Sequence, residues 1–315
     1  MNKKLKIGII GCGFVAKYNI EAWQKLGHHI TALCDINPEN LNKAMKTYNI
    51  KNGYSSSKEM YKQQALDAVS ICTIPFNHAE LTQEALDHDC LVAVEKPFVC
   101  STIEAHPFRK ENKIVVLHTQ AFEGIFHETF EYIRHGYLGF IHEVHVDLMQ
   151  PETENMTANP NHWAYKMRGG RTTESIPHII YEAQAVIGND LDVSSVEFSF
   201  FQDKKTYREM TATLTKDKAK AIIHIKMDAP RDVDNIMAFG SCGVLASGLN
   251  PQYLFTQRYS DKKIPSPPKA PCNRSSRYLL IKSLLDGSNW CNGEHAYHNI
   301  RISDEIVNTI IKQRE

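Results

Sequence analysis

Long apolar runs are missing from this chain of 315 residues: no stretch approaches the roughly 18 consecutive apolar positions of a membrane-crossing helix. An excess of charge of either sign is missing too. Lys and Arg together number 36, as do Asp and Glu, so neither nucleic acid nor an acidic membrane surface is expected as a partner. The eight cysteines, at 12, 34, 72, 90, 100, 242, 272 and 291, include no Cys-x-x-Cys pair. A disulfide framework is not expected in a chain of this size, and the cysteines read as small buried hydrophobes of a protein in the reducing cytoplasm. Fifteen histidines are present, yet there is no His-Glu-x-x-His pair and no tight His/Cys cluster, so no metal site is expected. No internal repeat divides the length, which suffices for two domains and a large core.

What is present starts near residue 5. Leu5 to Ile10 is a short apolar run with lysines before it and Gly11 after it, the pattern of a buried parallel strand. Gly11 permits a tight turn, Gly13 leaves room for a pyrophosphate beside the backbone, and Ala16 stands where a third glycine often allows close helix–strand packing. Phe14 and Val15 complete the turn. The helix expected over 16–26 then offers its free N–H groups to the phosphates. A second strand over 29–34 ends in Asp35, some 20 positions after Gly13, where an acid binds a ribose 2′-OH. A carboxylate repels a 2′-phosphate, and Ile36-Asn37-Pro38 supply no arginine to hold one, so NAD is expected rather than NADP. The alternative is a Rossmann-like domain that binds another nucleotide or none. Lys3, Lys4 and Lys6 before this run loosely resemble a signal peptide, but the glycines interrupt it and the turn accounts for the same residues.

Up to about residue 120 strands alternate with helices: strands over 68–73, 91–95 and 114–118, helices over 79–88 and, just beyond, 126–134. This is the pattern of a doubly wound parallel sheet. Beyond it, 141–147, 195–200, 209–214 and 221–226 alternate apolar and polar residues, which marks antiparallel strands with one wet face. A proline-rich loop is expected over 264–271. The fold class expected is α/β: an NAD-binding Rossmann domain over 1–120, then an α+β domain over 121–315 with a large, open, mostly antiparallel sheet. Such an exposed sheet face often pairs with a second copy, so a homodimer or homotetramer is expected.

At this point the chain resembles the Gfo/Idh/MocA oxidoreductases, nearly end to end. The resemblance rests on 9–16, on Asp67 to His78 with Thr73 and His78 in place, and on Glu95-Lys96-Pro97. In the second domain the family's glycine run and D-x-x-x-H reads Arg168-Gly169-Gly170-Arg171-Thr172-Thr173-Glu174-Ser175-Ile176-Pro177-His178, with glutamate in place of aspartate. The resemblance implies hydride transfer between a nicotinamide and a hydroxyl or keto carbon of a sugar, polyol or sugar derivative.

Such chemistry needs a group to exchange the hydroxyl proton. Lys96 can set an ammonium beside the reacting oxygen, and burial or cationic surroundings lower a lysine pKa. The same tripeptide also fits a solvated turn. His178 can relay the proton or bond the reacting oxygen. Glu174, four residues earlier, shares its face if both are helical, and Pro177 is then tolerated only if the helix is just starting. The catalytic candidates are thus Lys96, His178 and Glu174. The cofactor candidates are Gly11, Gly13, Phe14, Val15, Asp35, Thr73, His78, Glu95 and Lys96. His78 either approaches the cofactor or caps the next helix. Trp163 either stacks on a sugar face or fills core, and Arg168 and Arg171 either hold an anionic substrate group or are surface arginines. The substrate candidates are Lys96, Trp163, Arg168, Glu174 and His178. Two other activities fit the same residues: a lyase or hydrolase that oxidises its substrate transiently with tightly bound NAD, and a non-catalytic NAD(H) sensor.

Overall fold

The computed structural model describes residues 3–153, 159–202, 207–259 and 275–314. The proline-rich stretch expected over 264–271 and Cys272 lie outside them. The chain divides into two units, Met1–Thr119 with Arg274–Tyr297, and Gln120–Asn273 with His298–Glu315. Residues 274–297, which the sequence alone groups with the second domain, therefore cluster with the first.

In the first unit β1 (Lys6–Ile10), β2 (His29–Cys34), β3 (Gly53–Tyr54), β4 (Ala68–Ile71), β5 (Leu91–Glu95) and β6 (Ile114–Leu117) form one sheet in the order β3-β2-β1-β4-β5-β6. Every pairing in it is parallel. β4 and β6 are short, apolar and fully buried, as both faces of such a sheet are covered. The order reverses between β1 and β4, which opens a crevice at their carboxyl ends. Helix α1 (Ala16–Lys25) follows the glycine turn; its Trp23 is fully buried and donates to Ser70 Oγ at 2.8 Å. Helix α2 (Pro38–Tyr48) starts where the Asn37 side chain accepts from Glu39 N and proline occupies the first turn. α3 (Ser57–Gln63), α4 (His78–Asp87) and the single turn α5 (Thr102–Ala105) complete the alternation.

In the second unit β7 (Ile141–Met149), β8 (Asp192–Phe200), β9 (Tyr207–Lys216), β10 (Ala219–Lys226), β11 (Val233–Gly240), β12 (Gly243–Leu249) and β13 (Gln252–Arg258) lie in the order β13-β12-β11-β7-β10-β9-β8. All neighbours are antiparallel except β7 and β10. Val144, Val146, Ala221, Ile223 and Ile225 are buried, with none more than 5% exposed. On this buried side α6 (Gly124–Arg134) packs on β12 and β13, and α7 (Arg171–Ile187) packs on β7 and β10. The opposite face stays half exposed and carries Glu143, His145, Asp147, Glu209 and His224. Strands β11–β13 were not among those read from alternation.

Pro177 corrects an expectation. α7 begins at Arg171 and runs through Pro177, so the proline is interior and not in the first turn. It withholds one backbone N–H from the helix, and its own carbonyl accepts from Asn299 Nδ2 at 3.0 Å.

The last part of the chain forms α8 (Ser276–Asp286) and α9 (Gly293–Arg314). α8 packs on α1 and β6. Val116 N donates to the Cys291 carbonyl at 2.9 Å, so residues 276–291 are part of the first unit's structure.

Candidate functional site at the strand ends of the parallel sheet

Gly11 adopts φ +89°, and a Cβ there would stand 2.8 Å from the Cys72 carbonyl carbon and oxygen. Only glycine lets the β1 end pass so close to the chain leaving β4. At Gly13 a Cβ would meet nothing within 4 Å, so the space above the turn is open. Asp35 holds the turn from the side: Oδ2 accepts from Cys12 N and Oδ1 from Asn37 N, both at 2.7 Å. These bonds aim the carboxylate and leave each oxygen a further lone pair. The Cys12 and Cys34 thiols are pushed up to about 12, first by burial and then by the Asp35 charge, and Cys72 is raised by burial, so no thiolate nucleophile lies here.

Four large apolar side chains sit exposed just past the strand ends: Phe14 after β1, Ile36 after β2, and Ile74 and Phe76 after β4. An apolar rim around an open glycine turn suits the flat adenine of a dinucleotide. The residues present therefore fit a dinucleotide, with the turn at its phosphates and Asp35 at its ribose.

Lys96 follows β5 and is partly exposed. Its neighbours turn inward. Glu95 is 6% exposed, and its Oε1 accepts from Asn19 Nδ2 at 2.9 Å and from Arg277 Nε at 3.0 Å. Arg277 comes from α8 and also lies 5.2 Å from the Tyr18 ring. Glu95 thus ties the β5 end to α1 and α8 from behind. His78 is fully buried; Nδ1 lies 2.9 Å from the Pro97 carbonyl and 3.1 Å from that of Phe98, and Nε2 lies 3.1 Å from the Thr73 carbonyl. It presents no surface to a ligand. Thr73 itself is partly exposed, and its hydroxyl donates to the Ile74 carbonyl at 3.3 Å. His118, just past β6, is pushed down to about 3 by burial and then by the Lys96 charge, so it is neutral. Asn19, Arg277 and His118 carry no sequence signal: none belongs to a motif, and Arg277 meets Glu95 across 182 positions.

The remaining candidates stand on the second unit. Glu174 and His178 lie four residues apart within α7, hence on one face. The Arg171 guanidinium sits between two carboxylates, bonded to Glu152 at 2.7 and 3.1 Å and 3.4 Å from Glu174. It is occupied by its own chain. Arg168 is half exposed and 3.9 Å from Asp304. Trp163 opens a 3-10 turn that His162 caps, with the two rings 5.3 Å apart. Among the described residues no group of three or more His, Cys, Asp or Glu forms a metal site.

A glycine turn, an acid after the next strand and a lysine on the carboxyl edge of one parallel sheet have the form of a dinucleotide-binding domain. Residues 5–111 match the Gfo/Idh/MocA model, described as an oxidoreductase family with an NAD-binding Rossmann fold, and over that stretch the chain is similar to this family. D-apiose dehydrogenase of Paraburkholderia graminis is 32% identical over 104 residues, covering 33% of this chain and 28% of that protein. A glycosyl hydrolase family 109 protein of Phocaeicola vulgatus is 30% identical over 139 residues, 40% of this chain and 29% of that protein. The chain thus spans under a third of the length of these curated relatives. The crystal structure of the WlbA dehydrogenase from Bordetella pertussis, in complex with NADH and UDP-GlcNAcA, superposes with a TM-score of 0.82 over 99% of this chain and 98% of that one, at 17% identity. That likeness is one of fold, and it covers both units.

Proposed function

We propose that this protein is an NAD-dependent oxidoreductase that moves a hydride between the nicotinamide and a hydroxyl or keto carbon of a sugar, polyol or sugar derivative. The observation that carries the reading is the shared carboxyl edge: Gly11 and Gly13, Asp35 and Lys96 follow the carboxyl ends of β1, β2 and β5 of one parallel sheet. In this reading Asp35 accepts from the adenosine ribose hydroxyl, and its charge disfavours a 2′-phosphate. NAD, when bound, would supply the hydride acceptor or donor. Lys96 orients the reacting oxygen and takes or returns its proton at Nζ. Glu174 and His178 serve on the substrate side, the imidazole as proton relay or hydrogen-bond partner and the glutamate as acceptor for a neighbouring hydroxyl. Trp163 and Arg168 are the outer substrate contacts. D-apiose dehydrogenase among the relatives supports a carbohydrate substrate. We also infer a homodimer or homotetramer in the cytoplasm; no helix among the described residues is long and apolar enough to cross a membrane.

Titration calorimetry with NAD⁺, NADH, NADP⁺ and NADPH tests the cofactor. Micromolar binding of NAD(H), with the phosphorylated forms at least tenfold weaker, is the expected result; equal binding of all four removes the role given to Asp35. A sugar and polyol panel read at 340 nm then finds the substrate, and Lys96→Ala is expected to lower kcat/KM on it by about 10²–10⁴ while NADH still binds.

One relative favours a second reading. The glycosyl hydrolase family 109 match is consistent with transient oxidation followed by bond cleavage. Such an enzyme retains NAD through purification and turns over sugar derivatives with no net change at 340 nm.

A further inference from the structure

Behind the candidate site one side chain bridges two strand ends. His78 is the first residue of α4 and has no exposed surface. Its ring reaches three backbone carbonyls: Pro97 and Phe98 on Nδ1, Thr73 on Nε2. Pro97 and Phe98 are the two residues after Lys96, and Thr73 is in the segment that leaves β4 toward the apolar rim at Ile74 and Phe76. We propose that His78 is a positioning residue: from the start of α4 its Nδ1–H holds the backbone at Pro97 and Phe98 that carries Lys96. This rests on the reading of Lys96 as the proton-exchanging group.

The chemistry of the ring makes the arrangement specific. A buried imidazole without partners is costly, so the three contacts are a requirement as well as a restraint. A neutral ring has a single N–H. On Nδ1 it is shared by two carbonyls beside Lys96; on Nε2 it reaches Thr73 alone. Only the doubly protonated ring bonds both segments at once, and burial holds the ring below its ordinary pKa against the pull of the three carbonyls. Two acceptors against one favour the Nδ1–H form, which ties the ring to the Lys96 segment.

Asparagine and glutamine separate the two halves of the bridge. An asparagine amide reaches the level of Nδ1, and a glutamine amide that of Nε2. In His78→Asn, which keeps a donor at the Nδ1 level, amide hydrogen exchange of 96–100 is expected to stay parental. In His78→Gln, which moves the donor to the Nε2 level, 96–100 is expected to exchange about tenfold faster, as one lost hydrogen bond implies. Parental exchange of 96–100 in His78→Gln overturns the proposal. So does equal loosening across the whole first unit, the mark of a residue that only fills core. A nitrogen spectrum of labelled histidine in the unaltered chain needs no variant: a bare Nδ1 with a proton on Nε2 also overturns it. The exchange measurement requires no ligand. A parental chain that fails to bind NADH therefore sinks the cofactor reading, while the exchange pattern still decides on His78.

Discussion

At the carboxyl end of β5 the six-stranded sheet buries Glu95 with Arg277 and Asn19 against it, whereas the seven-stranded sheet buries Asp234, on β11, beside a second carboxylate, Glu182 of α7. The first acid is neutralised by a cation brought from a distant part of the chain. In the second pair Asp234 accepts from Gln120, and neither Glu182 oxygen has a hydrogen-bond partner among the described residues. Burial, and then the neighbouring Asp234 charge, raise Glu182 well above the usual carboxylate range, and burial raises Asp234. A sheet covered on both faces admits charge only at its strand ends and needs a counter-charge there. A one-sided sheet keeps its ions on the wet face and tolerates acids beneath it by leaving them protonated.

The largest expected effect is on the first arrangement. Arg277→Met leaves Glu95 buried without its cation and is expected to cost about 3–5 kcal/mol in denaturant unfolding. A double variant with Glu95→Gln should recover much of that; if it recovers none, the ion pair is not what the arginine supplies.

Glu182→Gln should move the other way. The folded Glu182 pKa lies above the unfolded one, so the native state holds a proton that the unfolded chain releases. That contribution is full below about pH 4 and is lost as pH rises through the folded value. The glutamine variant should be more stable than the parent at pH 8, by about 0.5–2 kcal/mol, with little difference at pH 4. A variant less stable at pH 8 breaks the contrast between the two regions.

A smaller effect is expected on the wet face, where His224 lies between Asp147 at 3.2 Å and Glu209 at 3.0 Å. The hydrogen bond to Asp147, then that to Glu209, raise its pKa against the opposing effect of burial. Its contribution is full below about pH 6.5 and fades as pH rises through the folded value. His224→Gln should cost about 1 kcal/mol at pH 6 and less at pH 9. The smallest effect is at Lys113, paired with the exposed Asp89: Lys113→Ala should leave the unfolding midpoint unchanged.

The same contrast explains what was legible in the sequence. β1, β2, β4, β5 and β6 are apolar runs between breakers, and the glycine turn and Asp35 announce themselves by spacing. β7–β10 show their alternation because their buried positions are apolar. β11 hides its own: the inward positions include Asp234 and Gly240, while Val233, Met237 and Phe239 point to the wet face. β12 carries glycines at 243 and 248, and β13 lies at the sheet edge with no fully buried position. At the site, Glu95, Lys96 and His78 were visible as motif letters. That Glu95 and His78 face inward was not, because their partners are an arginine far along the chain and three backbone carbonyls, which leave no pattern.

The return of the chain to its first unit has a consequence for biosynthesis. Arg277 emerges from the ribosome 182 residues after Glu95, a delay of roughly 10–40 s at ordinary elongation rates. The Cys291 carbonyl that receives Val116 N arrives later still. Throughout that interval the nascent sheet has its glycine turn and its lysine but lacks the counter-charge behind them. The part of the protein made first thus waits for residues made much later, and a chain released before Arg277 carries the cofactor motif without the buried support beneath it.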